Sequence, residues 1–142
     1  MASLLKVDAL TGVTTAGSIS VTGEGNSTTT NLQQGLAKVW ASVDQTSTGH
    51  PVYDSFNVSA TADIATGTTK ITFSNVMSNA NYGLSGVGQT QASSGTNFGI
   101  WGKDTASSRQ MTTADFHSSN RNSSNTDTDT AYFGFDVNGD LA

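Results

Sequence analysis

Cysteine is absent from this sequence of 142 residues, and proline, glutamate and histidine are scarce, with one, one and two copies. Without cysteine the chain can form no disulfide, no thiolate metal site and no cysteine nucleophile. Two histidines leave little for a transition-metal site. No apolar run approaches the roughly 20 residues that a membrane-spanning helix needs, and the opening residues lack the basic and then apolar pattern of a leader. We therefore expect no cofactor, no metal and no membrane insertion.

Positive charge is also scarce. Six Lys and Arg stand against eleven Asp and Glu, so the formal net charge is −5 and the isoelectric point is about 4.5. Because binding to nucleic acid requires a basic surface that neutralises phosphates, the composition predicts no nucleic-acid partner.

Small polar residues are abundant: the chain has 41 Ser and Thr, 15 Gly and 11 Asn. Leu, Ile, Val and Phe together number only 27, close to the roughly 20% below which chains are commonly disordered. The net charge is too small for a typical disordered chain, and Thr, Val and aromatic residues favour strands over helices. The composition therefore predicts an all-β protein with a thin core, some of whose apolar surface is buried between subunits.

Segments of strand character follow one another at intervals of roughly 10 residues, each bounded by turn residues. They cover residues 52–58, 69–74, 82–91, 98–102, 109–116 and 132–137. Short strands at this spacing are typical of a sandwich or a barrel. The fold prediction is an antiparallel β-sandwich, jelly-roll-like, of about seven to eight short strands.

Alternation within these segments predicts which side chains share a face. Residues 52–58 are interpreted as one continuous strand, with Val52, Asp54, Phe56 and Val58 on the same side. Residues 65–68 are interpreted as a hairpin turn. The two segments with the clearest apolar faces are 69–74, with Ile71 and Phe73, and 132–137, with Phe133, Phe135 and Val137.

Residues 31–44 allow two interpretations. A helical face would contain Leu32, Leu36, Val39, Trp40 and Val43. A turn followed by a strand would instead place Ala37, Val39, Ala41 and Val43 on one side. Gly35 inside a helix would cost about 1 kcal/mol relative to Ala, so we favour the turn and strand.

The first 30 residues differ from the rest, because residues 17–30 are almost wholly Gly, Ser and Thr. Such a segment cannot form a core of its own, but an extended chain can add a strand to the sheet of a neighbour. We expect residues 1–30 to be an N-terminal arm, anchored to a partner by Leu4, Leu5, Val7 and Leu10. Residues 31–142 are expected to form the β-sandwich body.

Four stretches in order, LLKVDALTGVTTAGSISVTGEG, TTTNLQQGLAKVWASVD, YDSFNVSATAD and ITFSNVMSNANYGLSGV, carry a resemblance. Over about residues 4 to 90 the chain resembles short tail-fibre-like or virion structural proteins of tailed bacteriophages of marine bacteria, cyanophages among them. The resemblance implies a fibre- or spike-type protein on the virion surface, a homotrimer, and partners among the capsid or tail proteins. It leaves a capsid decoration protein open as the alternative, and it implies no catalytic residue.

The chemical candidates in the sequence do not form a catalytic pattern. His50 and His117 stand in polar surroundings, and we expect both on the surface without a catalytic role. Asp127 and Asp129 lie in a polar run that would not hold two carboxylates rigidly on opposite sides of a bond. Residues 136–140 begin like a calcium loop, but the glycine falls at the fourth position instead of the sixth. We therefore predict that the chain is not an enzyme.

Aromatic rings suggest a binding function from another class. Large amphipathic rings that could stack on sugars are Trp40, Trp101, Tyr53, Tyr82 and Tyr132. Trp40 lies in the resembling segment and is expected in the core or an interface. Trp101, flanked by Gly99 and Gly102, is the better candidate for contact with a glycan. A module that binds host-surface carbohydrate during host adsorption is therefore a further alternative.

Overall fold

The computed structural model describes residues 5–12, 19–22, 29–89, 96–97, 111–122 and 124–142, and the chain divides into two compact units, Met1–Leu36 and Ala37–Ala142. The first unit contains β1 (Ser20–Thr22), β2 (Thr29–Asn31) and the single helical turn α1 (Leu32–Gly35). The second unit, called the body below, contains β3 (Val39–Val43), β4 (Val52–Phe56), β5 (Val58–Ala65), β6 (Thr68–Phe73), β7 (Gly83–Gln89), β8 (Thr96–Asn97), β9 (Asp115–His117) and β10 (Tyr132–Asn138). Within the described residues, no helix combines the length and the hydropathy needed to cross a bilayer.

The first unit is a small hairpin followed by one turn of helix. Strands β1 and β2 pair antiparallel, with Val21 opposite Thr30. The amide of Leu32 donates a hydrogen bond of 2.9 Å to the carbonyl of Ile19, which joins the start of α1 to the hairpin. Val21 is 52% exposed, so this hairpin has little apolar surface to bury.

The body is a sandwich of two antiparallel sheets. One sheet has five strands in the order β4-β3-β10-β7-β8, and the other has three in the order β5-β6-β9. Every described pair of neighbouring strands is antiparallel. The predicted all-β sandwich is confirmed.

The core lies between the two sheets. The five-stranded sheet contributes Val39, Ala41 and Val43 from β3 and Phe133, Phe135 and Val137 from β10, and the three-stranded sheet contributes Ile71, Phe73 and Phe116. The rings of Phe116 and Phe135 meet edge to face across the sandwich, with centroids 5.0 Å apart. Because successive side chains of a strand point to opposite faces, the apolar alternations of residues 69–74 and 132–137 each become part of a wall of this core.

The segment 31–44 forms a turn followed by a strand. Its helical part is limited to α1, and β3 begins at Val39. Val39 and Val43 are fully buried, whereas Trp40 is 38% exposed. A continuous helical face with Trp40 beside Val39 and Val43 is therefore wrong, because the period of this segment is that of a strand.

The expectation of one continuous strand over residues 52–58 is wrong. The chain leaves the five-stranded sheet at Phe56 and enters the three-stranded sheet at Val58. Between them Asn57 has a φ of 60°, a left-handed conformation that asparagine tolerates better than most residues. Its side-chain amide donates to the carbonyls of Lys38 and Asn75, each at 3.1 Å. These bonds hold the chain where it changes sheet.

The predicted hairpin turn at residues 65–68 is confirmed, with Thr66 and Gly67 between β5 and β6. Gly67 has a φ of +70°, and a Cβ added there would lie 2.5 Å from the carbonyl oxygen of Asn120. The amide of Gly67 donates to a carboxylate oxygen of Asp129 at 2.6 Å. This turn is therefore packed against the loop that precedes β10, which leaves no room for a side chain.

Candidate functional site

His50 is buried, with only 1% of its side chain exposed, so the expectation of a surface histidine is wrong. Nδ1 lies 2.7 Å from Oγ1 of Thr69, and Nε2 lies 3.5 Å from a carboxylate oxygen of Asp63. The hydroxyl of Thr61 donates to the carbonyl of His50 at 2.7 Å. The loop between β3 and β4 packs against β5 and β6, and this packing places the imidazole in the interior of the body.

The imidazole of His50 belongs to a buried polar network. The side-chain amide of Gln45 donates to Oγ1 of Thr69 at 2.8 Å, and its oxygen accepts from Oγ1 of Thr130 at 2.9 Å and from the side-chain amide of Asn120. All five of these side chains are at most 2% exposed. Because buried polar groups are costly unless they are hydrogen-bonded, this network joins two loops of the body, β3–β4 and β9–β10, to Thr69 of strand β6, and its arrangement is structural.

His117 occupies a different position, on β9 opposite Lys70 of β6. It is partly buried. Burial is the main cause that lowers the pKa of His117, and the nearby charge of Lys70 acts in the same direction, against that of Asp115. The ammonium group of Lys70 lies 3.1 Å from a carboxylate oxygen of Asp115. No hydroxyl or thiol that His117 could activate is brought to it by these contacts.

The aspartates considered for catalysis or for calcium accept hydrogen bonds from other groups of the body. Asp127 accepts from Nε of Arg121 at 2.8 Å, and Asp129 accepts from the amide of Gly67. Asp136 accepts from the side-chain amide of Asn138 at 2.6 Å. Over the ranges that the structure describes, no group of three or more His, Cys, Asp or Glu side chains could hold a metal ion.

The outward side of the five-stranded sheet brings four aromatic residues to one surface, which we call the aromatic face: Trp40, Tyr53, Phe56 and Tyr132. Their exposed fractions are 38%, 56%, 52% and 51%. Trp40 and Phe56 are register partners on β3 and β4. The rings of Tyr53 and Tyr132 stack beyond the end of β3, with centroids 5.4 Å apart and planes inclined by 23°. The aromatic face is the candidate functional site.

Small residues, Ser42 and Gly134, form the surface between the Trp40–Phe56 pair and the Tyr53–Tyr132 pair of the aromatic face. Gly134 of β10 is the register partner of Ser42 on β3 and of Val87 on β7. A Cβ added to Gly134 would meet no atom within 4 Å, so the space above this glycine is open. Ser42, with Asp54 opposite it on β4, borders the opening on one side, and Val87, which is 64% exposed, borders it on the other. Asp136, with Ser85 opposite it on β7, lies next along β10.

Three of the five rings singled out in the sequence thus lie on the aromatic face: Trp40, Tyr53 and Tyr132. Of the two positions expected for Trp40, the core is wrong because its strand turns that side outward, and an interface stays a prediction. Tyr82 is buried, and its hydroxyl donates to the carbonyls of Thr112 at 3.1 Å and Asp115 at 3.0 Å. Trp101 lies outside the described residues, so its contact with a glycan stays a prediction.

Sequence reasoning missed Phe56 and Gly134 as members of this surface. The sequence pattern continues as one strand through Asn57, which predicts Phe56 on the side of Val58. The signal that marks the boundary between the strand ending at Phe56 and the strand beginning at Val58 is Asn57, because asparagine is favoured where the chain adopts a left-handed conformation. No signal in the sequence distinguishes Gly134 from the other glycines of the chain.

The anchor residues predicted for the N-terminal arm lie in the first unit. Leu4 is outside the described residues. Leu5, Val7 and Leu10 are 78%, 56% and 57% exposed, so all three apolar side chains are accessible for contact.

No family model matches this chain, and neither a curated protein nor a solved structure matches it.

Proposed function

We propose that the chain is a non-enzymatic structural protein of a tailed-phage virion, a trimeric fibre- or spike-type surface protein attached through its N-terminal arm. The proposal rests on the resemblance of residues 4–90 to such virion proteins. An all-β sandwich with few charged residues agrees with it, because that architecture supplies a rigid body without needing a cofactor. The virion surface follows as the expected location.

The observation that carries the arm's role in assembly is the exposure of its apolar side chains. Leu5, Val7 and Leu10 are each more than half exposed in a unit separate from the body. Burying an aliphatic side chain of this kind contributes about 1.5–3 kcal/mol. A partner surface that covers all three would therefore stabilise an assembly substantially, and the partner we propose is a second and third copy of this chain.

The contacts of the catalytic candidates support a structural role. The imidazole of His50 is enclosed by Thr69 and Asp63, and the carboxylates of Asp127 and Asp129 bind Arg121 and the amide of Gly67. Each of these groups contributes to holding a loop of the body.

Native mass spectrometry of the full chain tests the trimer. We expect a species of about 44 kDa, three times the 14.6 kDa of one chain. A variant carrying Leu5→Ser, Val7→Ser and Leu10→Ser should dissociate to 14.6 kDa, and Val21→Ser should remain trimeric as the matched control in the same unit. A monomeric wild-type chain would refute the trimer.

Immunogold labelling of purified particles tests the location. Gold on the tail or on fibres would support the fibre or spike role. Gold over the head would refute the fibre or spike role and support capsid decoration instead. Particles free of gold would refute the virion role altogether.

A further inference from the structure

The aromatic face exposes more aromatic surface than the rest of the described body. Tyr53, Phe56 and Tyr132 are each more than half exposed, although aromatic rings are usually buried because of their large apolar area. Contiguous exposed apolar surface marks interaction sites on folded proteins. The question is which chemical class of ligand fits this surface.

The geometry of the rings favours a flat ligand of extended shape. Tyr53 and Tyr132 form one platform, and Trp40 with Phe56 forms another. Trp40 is paired with Asp136 on β10, four positions along the strand from Tyr132, which at 3.2–3.4 Å per residue separates the platforms by about 13 Å. This separation exceeds one sugar ring, so a ligand that contacts both platforms must contain several rings.

The surface between the platforms would admit such a ligand. Ser42 and Gly134 form a floor of small residues, and the space above Gly134 is open. The carboxylates of Asp54 and Asp136 and the hydroxyl of Ser85 border it. Because the hydroxyl of Ser85 donates to Asp136, all three groups offer acceptor oxygens to sugar hydroxyl groups. Apolar planes beside a few fixed polar groups are the usual composition of a ligand site.

Charge narrows the class of ligand further. Asp54 and Asp136 are the charged side chains that border the open floor, and Lys38, two positions before Trp40, is only 5% exposed. Lys70 lies in the other sheet, where it pairs with Asp115. Negative groups repel an anionic ligand, which disfavours acidic polysaccharides and nucleic acids alike. A chain of neutral sugars meets no such repulsion.

We propose that the aromatic face binds a neutral oligosaccharide, whose sugar rings stack on the Tyr53–Tyr132 and Trp40–Phe56 platforms and whose chain crosses Gly134. The inference goes beyond the proposed virion role and stands independently of it, because it uses only contacts within the body.

Isothermal titration calorimetry of the full chain tests this inference. The neutral probes are maltohexaose, cellohexaose and mannohexaose, and an alginate hexasaccharide is the anionic probe. At least one neutral probe should bind, and the anionic probe should not. Binding of none of the neutral probes would overturn the inference, and stronger binding of the alginate fragment would overturn the ligand class.

Variants then locate the site. Tyr132→Ala should weaken binding by at least about tenfold, whereas Tyr132→Phe should retain it because the stacking ring remains. Ile64→Ala is the matched control, since Ile64 is 51% exposed on the other sheet. If the control weakens binding as much as Tyr132→Ala, the glycan binds elsewhere and the assigned site is wrong.

Gly134→Val separates binding from folding. The added side chain meets no protein atom within 4 Å of its Cβ, and a β-branched residue suits a strand better than glycine. The variant should keep or raise its melting temperature while losing glycan binding. Unchanged affinity would overturn the proposed path of the ligand.

Native mass spectrometry of Gly134→Val and Tyr132→Ala tests the competing explanation, in which the aromatic face is an interface between copies of this chain. If these substitutions dissociate an oligomer, the aromatic face is an interface between copies of this chain and the glycan site is refuted. If the oligomeric state is unchanged while glycan binding is lost, the inference is supported. A monomeric wild-type chain would refute the trimer and would leave the calorimetric test of glycan binding intact.

Discussion

Nδ1 of His50 lies 2.7 Å from Oγ1 of Thr69, in the buried interior of the body. The same oxygen accepts a hydrogen bond from the side-chain amide of Gln45 at 2.8 Å. The contact with Nδ1 uses either the hydroxyl hydrogen of Thr69 or the ring hydrogen of His50, according to the tautomer, and Nε2 faces Asp63. Thr69 thus connects the loop between β3 and β4 to β6, the central strand of the three-stranded sheet.

Replacing Thr69 should therefore destabilise the fold. In Thr69→Val the amide of Gln45 and Nδ1 of His50 lose a partner in a buried site, and each group left unsatisfied costs about 1–3 kcal/mol. Thr69→Ser should retain most of the stability. Urea unfolding measures the free energy of unfolding, with Thr48→Val, at an exposed position, as the control. An unchanged midpoint in Thr69→Val would show that the network contributes nothing.

Two glycines offer a matched pair for backbone strain and steric fit. Gly49 and Gly67 have φ values of +79° and +70°, but a Cβ at Gly49 would meet nothing, whereas at Gly67 it would lie 2.5 Å from the carbonyl oxygen of Asn120. Gly49→Ala should lose about 1–2 kcal/mol from the left-handed conformation alone. Gly67→Ala should lose clearly more. Equal losses in thermal or urea unfolding would mean that the loop around Asn120 yields without cost.

Asp44 should titrate well below an ordinary aspartate. The hydroxyls of Thr46 and Ser47 donate to its carboxylate at 2.6 Å and 2.7 Å, and these bonds lower the pKa of Asp44 from 3.8 to about 2. Since the folded pKa lies below the unfolded value, the carboxylate stabilises the fold above pH 3.8, and this contribution is lost as the pH falls towards 2. Titration of the Asp44 carboxyl carbon by NMR measures the pKa. An ordinary pKa near 3.8 would contradict the prediction. Thr46→Val removes one of the two hydroxyl donors and should raise the pKa of Asp44 from its lowered value.

His117 should oppose folding when it is protonated. Burial, aided by Lys70, lowers the pKa of His117 below 6.5 in the folded chain. The unfolded chain then binds more protons at mildly acidic pH, so stability should fall as the pH drops below 6.5 and should level off below the folded pKa. In His117→Gln this slope should disappear. Unfolding midpoints measured at several pH values check it, and an identical slope in the variant would assign the effect to another group.

The faces of β6 and β10 can be predicted from the sequence because the alternation of side chains along a strand depends only on local backbone geometry. Phe133, Phe135 and Val137 share a face through the backbone geometry of β10 alone, and Ile71 and Phe73 do so in β6. The turn at Gly67 was readable for the same reason, since glycine favours the left-handed backbone that this turn adopts.

The sequence by itself determined the strand character of the body, its turns and the alternating positions that form the core. Only the tertiary structure decided that β3 lies between β4 and β10, that the chain changes sheet at Asn57, and that His50 is enclosed. The aromatic face depends on the same choice, because Tyr53 and Tyr132 stack only once β4 and β10 lie on either side of β3. The physical reason is that strand order and sheet packing arise from contacts between distant residues, which no local pattern encodes.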